Sequence, residues 1–383
     1  MRTLEHVNAA TAQTWNYMKI NQIALEVPEA ELLAGSAKVV AECADGAVKV
    51  QAVGEVPAEF AGIETGIGEE AAAWIDDAAA AAKAVVEVAE GVQLSEPIVV
   101  DLAKAGAAAA STCVAVRKGA RASVVVIADA AEDGAAAEGS AAAGDLTASL
   151  VRLVVEEGAH ADVFEMTALP DSKSHLEGFG IECADGASVN VRQYSLSAGT
   201  SAIGLAANLA GAESSIDVQL HYLGRDSQTI DINHLVRMRG RDTRSRIDES
   251  GVLADAAHKT LRATIDLVRG GKGAKGREQE TVVVTGDAVV NKTLPVILCD
   301  EEDVQGDHGA TIGSMSAEQL EYMRDRGLST SQAEELFERA VVDEAVIHAP
   351  TKRAHEVALY AAEMLFGHDA VDEIADAVQH DWN

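Results

Sequence analysis

G-A-H-A-D-V at residues 158–163 recurs in outline as G-A-R-A-S-V at 119–124, G-A-S-V-N-V at 186–191 and G-A-E-S-S-I at 211–216. Each copy is a small turn followed by a strand-forming run. Gly158 to Gly186 is 28 residues and Gly186 to Gly211 is 25, a period in the range of solenoids. Glycine accepts the backbone angles of such a turn, and its small neighbour lets adjacent coils stack closely. Between the markers lie short β-branched runs: P-I-V-V at 97–100, S-T-C-V-A-V at 111–116, A-S-V-V-V-I at 122–127, L-V-R-L-V-V at 150–155, V-N-V-R-Q-Y at 189–194, I-D-V-Q-L-H-Y-L at 216–223 and T-V-V-V-T at 281–285. Long helical crossovers, which a doubly wound sheet requires, are missing between 94 and 313. The period predicts a parallel β-helix over 95–313; an antiparallel sandwich built from hairpins is the alternative that pattern leaves open.

Outward from this core, the chain divides into an N-terminal α/β segment at 1–94 and a C-terminal helical domain at 314–383. Leu4, Val7, Trp15, Tyr17 and Met18 predict a helix over 3–19. Alternation around A-D-G at 44–46 predicts a hairpin over 37–53, and an Ala-rich run without Gly or Pro predicts a helix from Glu69 to Val88. Residues 130–145 are a low-complexity loop. R-G-G-K-G-A-K-G-R at 269–277 reads as a basic turn. It fails as a phosphate loop, because Arg277 and Glu278 follow Gly276 where Lys and Ser or Thr are needed. Beyond Gly313, Ser316 with Gln319 and Ser329 with Gln332 form capping boxes, Gly327 and Pro350 act as stops, and a third helix carries Val357, Tyr360, Met364 and Leu365 up to Gly367.

The 383 residues hold 30 Lys and Arg against 62 Asp and Glu, a formal charge of -32, which disfavours nucleic acid and anionic membranes as partners. Aromatics make up 3%, so the core must be built from Val, Ile, Leu and Ala. Cys43, Cys113, Cys183 and Cys299 stand singly, as free thiols of a reducing compartment do. No signal-peptide pattern and no run of ~20 apolar residues is present, and a cytoplasmic protein is expected.

Chemistry concentrates in T-L-P-V-I-L-C-D-E-E-D-V-Q-G-D-H-G-A-T-I-G at 293–313. A soft thiol at Cys299, carboxylates at Asp300 to Asp303 and an imidazole at His308 are donors suited to a transition metal. One Cys and one His fall short of the paired spacing of a zinc site, and a lone Cys after an apolar run also reads as a small core hydrophobe.

This stretch, together with I-D-I-N-H at 230–234, D-T-R-S-R-I-D-E-S-G-V-L at 242–253, A-T-I-D-L at 263–267, G-R-E-Q-E-T-V-V-V at 276–284 and L-E-Y-M-R-D-R-G-L at 320–328, resembles the SufB/SufD family of iron–sulfur cluster assembly proteins. The resemblance is specific over 211–345, and T-W-N-Y-M-K-I-N at 14–21 is similar to the family's short members. It implies a right-handed parallel β-helix with helical N- and C-terminal segments. It also implies a non-enzymatic scaffold that builds transient iron–sulfur clusters from Fe²⁺ and sulfide, with a SufC-like ABC ATPase docked on the C-terminal helices. A homodimer, or a heterodimer with a SufB/SufD homologue, and acceptor apo-proteins are the further implied partners. The short chain resembles the stand-alone SufB-like form. Carried over by position, the assembly set is Cys299, His308 and Asp303, with Glu302 beside them and Glu280 where the family's core cysteine stands. Gly309 after His308 matches SufD, whereas SufB carries an acid there, so a purely structural partner is the second reading. A β-helix polysaccharide lyase is a remote third.

Overall fold

In the computed structural model, residues 1–12, 18–30, 38–41, 48–80, 82–102, 108–130 and 146–377 are described. Two sheets of nine strands face each other, and successive strands go to opposite sheets. The first sheet holds β3 (Lys38–Ala41), β6 (Ile98–Asp101), β8 (Arg121–Asp129), β10 (His160–Ala168), β12 (Ser188–Ser197), β14 (Ser215–Gly224), β16 (Arg244–Leu253), β18 (Lys275–Val284) and β20 (Gln305–Gly313). The second holds β4 (Val48–Ala52), β5 (Lys83–Val88), β7 (Ala108–Val116), β9 (Leu146–Val155), β11 (Ser174–Cys183), β13 (Thr200–Leu209), β15 (Thr229–Met238), β17 (His258–Leu267) and β19 (Val290–Cys299). From β5 and β6 onward all pairing is parallel, which makes a β-solenoid and removes the sandwich.

His160, Ser188, Ser215 and Arg244 are successive register partners, 27 to 29 residues apart, in agreement with the sequence period. Gly119, Gly158 and Gly186 take φ of +65°, +65° and +64° at the turns before β8, β10 and β12. At the fourth marker the left-handed position falls on Glu213, φ +58°, while Gly211 serves a close approach: a Cβ there would lie 2.0 Å from the Ala184 carbonyl carbon.

The interior is a continuous apolar column, from Val86 and Val124 through Leu153, Phe179, Leu205 and Met238 to Ile265 and Leu267. Burial of such side chains contributes about 1.5–3 kcal/mol each, which is why so few aromatics suffice.

N-terminal expectations are corrected in three places. The expected helix over 3–19 begins instead as a strand: β1 (Arg2–Val7) pairs antiparallel with β2 (Ile23–Val27), and Trp15 and Tyr17 lie outside the described residues. Leu4, Val7 and Val27 are drawn into a core with Trp74 and Ile75 on the outside of the second sheet, and that burial overrides helix propensity. The 37–53 hairpin does not form, because β3 pairs with β6 and β4 with β5, in different sheets. The helix from Glu69 ends early: α1 is Glu69–Ala78, and K-A-V-V-E-V, alternately buried, becomes β5. Among the described residues the regular structure of the N-terminal flank is therefore five strands and one α-helix. The 131–145 part of the low-complexity loop and Cys43 lie outside the described residues.

At the other end follow α2 (Ala317–Asp325), α3 (Thr330–His348), α4 (Lys352–Phe366) and an additional α5 (His368–Ala377). Both capping boxes form, with the Ser316 and Ser329 hydroxyls accepting from the Gln319 and Gln332 amides. Val342, Ala345, Val346, Val357, Ala358 and Ala361 pack α3 and α4 onto Phe164, Met166 and Tyr194 of the first sheet. Arg353 ties the start of α4 to Asp101 and Asp129, and Arg225 pairs with Glu338 of α3. No residue of α2 is buried. Among the described residues no helix is long and apolar enough to cross a membrane.

Candidate functional site

Strand alternation decides which way each candidate faces. Along β18, Gly276, Glu278, Glu280 and Val282 are buried, and their partners on β20 are Gly306, His308, Ala310 and Ile312. Along β17, Lys259, Leu261, Ala263, Ile265 and Leu267 are buried, and their partners on β19 are Asn291, Thr293, Pro295, Ile297 and Cys299. His308 and Cys299 thus belong to the inward rows of the two opposing sheets. Both are exposed because β19 and β20 are the last strands, and among the described residues no further coil covers them.

The acids lie at the corner between these strands. The Cys299 thiol donates to the Glu301 carbonyl at 3.2 Å. The Glu301 carboxylate accepts the backbone N–H of Gly270 at 2.9 Å and of Glu302 at 3.0 Å; led by the Gly270 bond, these hold its pKa below the ordinary value. Gly273 donates to the Asp303 carbonyl at 2.7 Å. The turn 269–277, read as basic from sequence, is therefore the shelf on which the acidic turn rests. Glu302 and Asp303 themselves are exposed.

Glu280 is elsewhere. It is fully buried one rung below, where its carboxylate is ion-paired with Lys259 and accepts Tyr222 Oη at 2.9 Å and Thr293 Oγ1 at 2.6 Å. Among the described residues no three His, Cys, Asp or Glu side chains converge as a metal-binding group. One chain brings Cys299, His308 and the acids to the same end face without completing a ligand set.

Sequence reasoning missed the polar interior beneath that face. His234 Nδ1 lies 3.0 Å from Glu249 Oε1, and the carboxyl groups of Glu249 and Glu278 face each other in the interior. Burial first, then mutual repulsion with neighbouring acids, pushes Glu249 and Glu278 up to about 8, and burial takes His234 down to about 4. The signal was present: in G-R-E-Q-E-T the two glutamates alternate with Arg277 and Gln279, so both fall on the face shared with Val282. Of the other thiols, Cys113 and Cys183 are buried and pushed up to about 12, mainly by desolvation.

Fold and end face together define a parallel β-solenoid protein with an open last rung and a helical appendage. The chain belongs to the SufB/SufD family: the family model for "SUF system FeS cluster assembly, SufBD core domain" matches residues 99–341. This chain is accordingly similar to proteins of iron–sulfur cluster assembly. It is 27% identical to the iron–sulfur cluster assembly protein SufD of Bacillus subtilis over 150 residues, 38% of this chain and 34% of that protein. A SufBD family protein of Methanocaldococcus jannaschii is 22% identical over 134 residues, 35% of this chain and 42% of the relative. One from Synechocystis is 28% identical over 94 residues, 24% and 20% of the respective chains. The matches thus span less than half of those relatives' lengths.

Proposed function

We propose that this chain is the scaffold on which a SUF system builds or transfers nascent iron–sulfur clusters, with Cys299 and His308 as ligands and Asp303 and Glu302 delivering Fe²⁺. The observation that carries this reading is that the exposed thiol and the imidazole sit on the inward rows of opposing sheets at the last rung, beyond which the described residues add no strand. A second SufB/SufD-type chain, identical or homologous, docks by adding strands to the free edges of β19 and β20, and its own residues complete the ligand set. Acceptor apo-proteins take the cluster from this end. The chain itself performs no catalysis, and it works in the cytoplasm.

The segment 314–383 is the docking domain for a SufC-like ABC ATPase. Its α2 buries nothing, Tyr322 is 53% exposed, and Leu336 and Ile347 of α3 are also exposed, while α3 and α4 are fastened to the solenoid wall. Motion of the ATPase would reach the end face through Gly313, where β20 ends just before α2. Deletion of 317–383 abolishes co-purification with the ATPase if this assignment holds.

Anaerobic reconstitution with Fe²⁺ and sulfide tests the site. Cys299→Ser and His308→Ala each lower the iron and sulfide retained per dimer severalfold without unfolding the chain, whereas Cys113→Ser and Cys183→Ser do not. Retention at the level of the unmodified chain by the first two variants would instead support the structural-partner reading, which Gly309 and the buried, thiol-free Glu280 position favour.

A further inference from the structure

We infer that Lys259, Glu280 and Thr293 form a brace, rooted in the buried Lys259–Glu280 pair, that sets the register of β19, which makes Glu280 a positioning residue for Cys299. This inference rests on the proposed role of Cys299 and His308. The three residues come from β17, β18 and β19, so the brace spans the two sheets and ties the open rung to the coil beneath it. Lys259 Nζ pairs with Glu280 Oε1 and also donates to Thr293 Oγ1 at 3.0 Å, while the Thr293 hydroxyl donates to Glu280 Oε2 at 2.6 Å. Tyr222 Oη donates to Glu280 Oε1 at 2.9 Å, and the Lys259 ammonium lies over the Tyr222 ring, 5.6 Å from its centroid. Lys259, Glu280 and Tyr222 are sealed from solvent. Gly251 makes room for the ring, since a Cβ there would lie 2.2 Å from Tyr222 Cε2.

A buried ion pair of this kind is weak evidence for stability, because an apolar replacement of similar volume is often as stable; its best-attested use is to fix registry. β19 needs such a device. In V-N-K-T-L-P-V-I-L-C the apolar residues Val296, Ile297 and Leu298 are consecutive and all half-buried, and only Leu294 is buried. Neither face is strongly marked, and the other edge of the strand has no partner. A slip of one residue would turn every side chain to the opposite face and carry Cys299 from the inward row to the outer wall. Thr293 is the inward position at which the brace grips the strand, and Cys299 lies six residues further along the same row.

The discriminating variant is Thr293→Val, which keeps shape and β-branching and leaves the Lys259–Glu280 pair in place. Measured on metal-free full-length protein, amide hydrogen exchange in 290–299 accelerates about tenfold, the loss expected for a hydrogen bond to a charged group, while β17 is unchanged. After anaerobic reconstitution the same variant retains less than about half of the parent's iron and sulfide, although Cys299 and His308 are intact. Thr293→Ser, which restores the hydroxyl, returns both readouts toward the parent. Unchanged exchange across β19 in Thr293→Val overturns the inference, and so does full retention of iron and sulfide by Thr293→Val when Cys299→Ser has lost them. The two readings fail separately: a Cys299→Ser chain that holds as much cluster as the parent refutes the site, while faster exchange in Thr293→Val still upholds the register role of the brace.

Discussion

Cys183 and Cys299 stand in one row of the second sheet, joined through successive register partners Leu209, Met238 and Leu267. Row and residue type are the same, yet Cys183 is enclosed in the apolar column and Cys299 faces solvent. The difference is position along the solenoid: coils stack on both sides of Cys183, and none follows Cys299. The opposing sheet repeats the contrast, with Glu278 sealed and its partner His308 open. An inward side chain in a solenoid is core wherever the coil continues and becomes accessible where it stops, so the end face needs no special loop to present Cys299 and His308.

The largest effect that can break this comparison is in thiol reactivity. A thiol sealed in the core and pushed up to about 12 carries almost no thiolate at pH 7.5, so timed alkylation of native protein labels the exposed Cys299 well before Cys183. Mass spectrometry after timed alkylation reads the ratio, and comparable labelling would mean that the row is not sealed at Cys183. Next in size is truncation of neighbours in that row. Leu267→Ala lowers unfolding free energy by about 2–5 kcal/mol, whereas Cys299→Ala stays within about 0.5 kcal/mol. Paired urea titrations check the contrast, and equal losses would place Cys299 in the core.

A further test of the interior comes from pH. Glu249 and Glu278 lose their protons at about 8 in the folded chain against an ordinary 4.5, so between those values the native state holds more protons than the unfolded one. Their contribution is full below about 4.5 and declines as pH rises toward about 8. Glu249→Gln, neutral throughout, therefore gains stability relative to the parent as pH is raised from 5 to 8. Urea midpoints measured across that range check the sign, and a parallel shift of the two chains would show that the interior acids do not titrate there.

Much of this architecture was legible in residue patterns. Gly119, Gly158 and Gly186 mark turns because few residues other than glycine take their backbone angles readily, and the capping boxes at Ser316 and Ser329 are contained within four residues each. Glu213, Asp226, Asp242 and Asp255 take over the left-handed positions further along, acidic residues in place of the expected glycine, which is why the marker fades after Gly211. In the candidate site, Cys299, His308 and the acids drew attention as residue types. Their shared end face depended on the parity of β19 and β20 against β17 and β18, and the role of Glu280 depended on Lys259 and Tyr222, 21 and 58 residues away.

From the sequence by itself followed the solenoid period, the strand-rich core, the helical C-terminal segment and the family, because turns, caps and repeats are local signals that accumulate over many coils. Tertiary structure alone decided that β3 and β4 join different sheets, that residues 2–7 form a strand on the outer wall, and that Cys183 is core while Cys299 is surface. The physical reason is that burial in a stacked coil is set by the coils above and below. Coil length varies with each turn, so the neighbours of a residue emerge only once every preceding register has been summed.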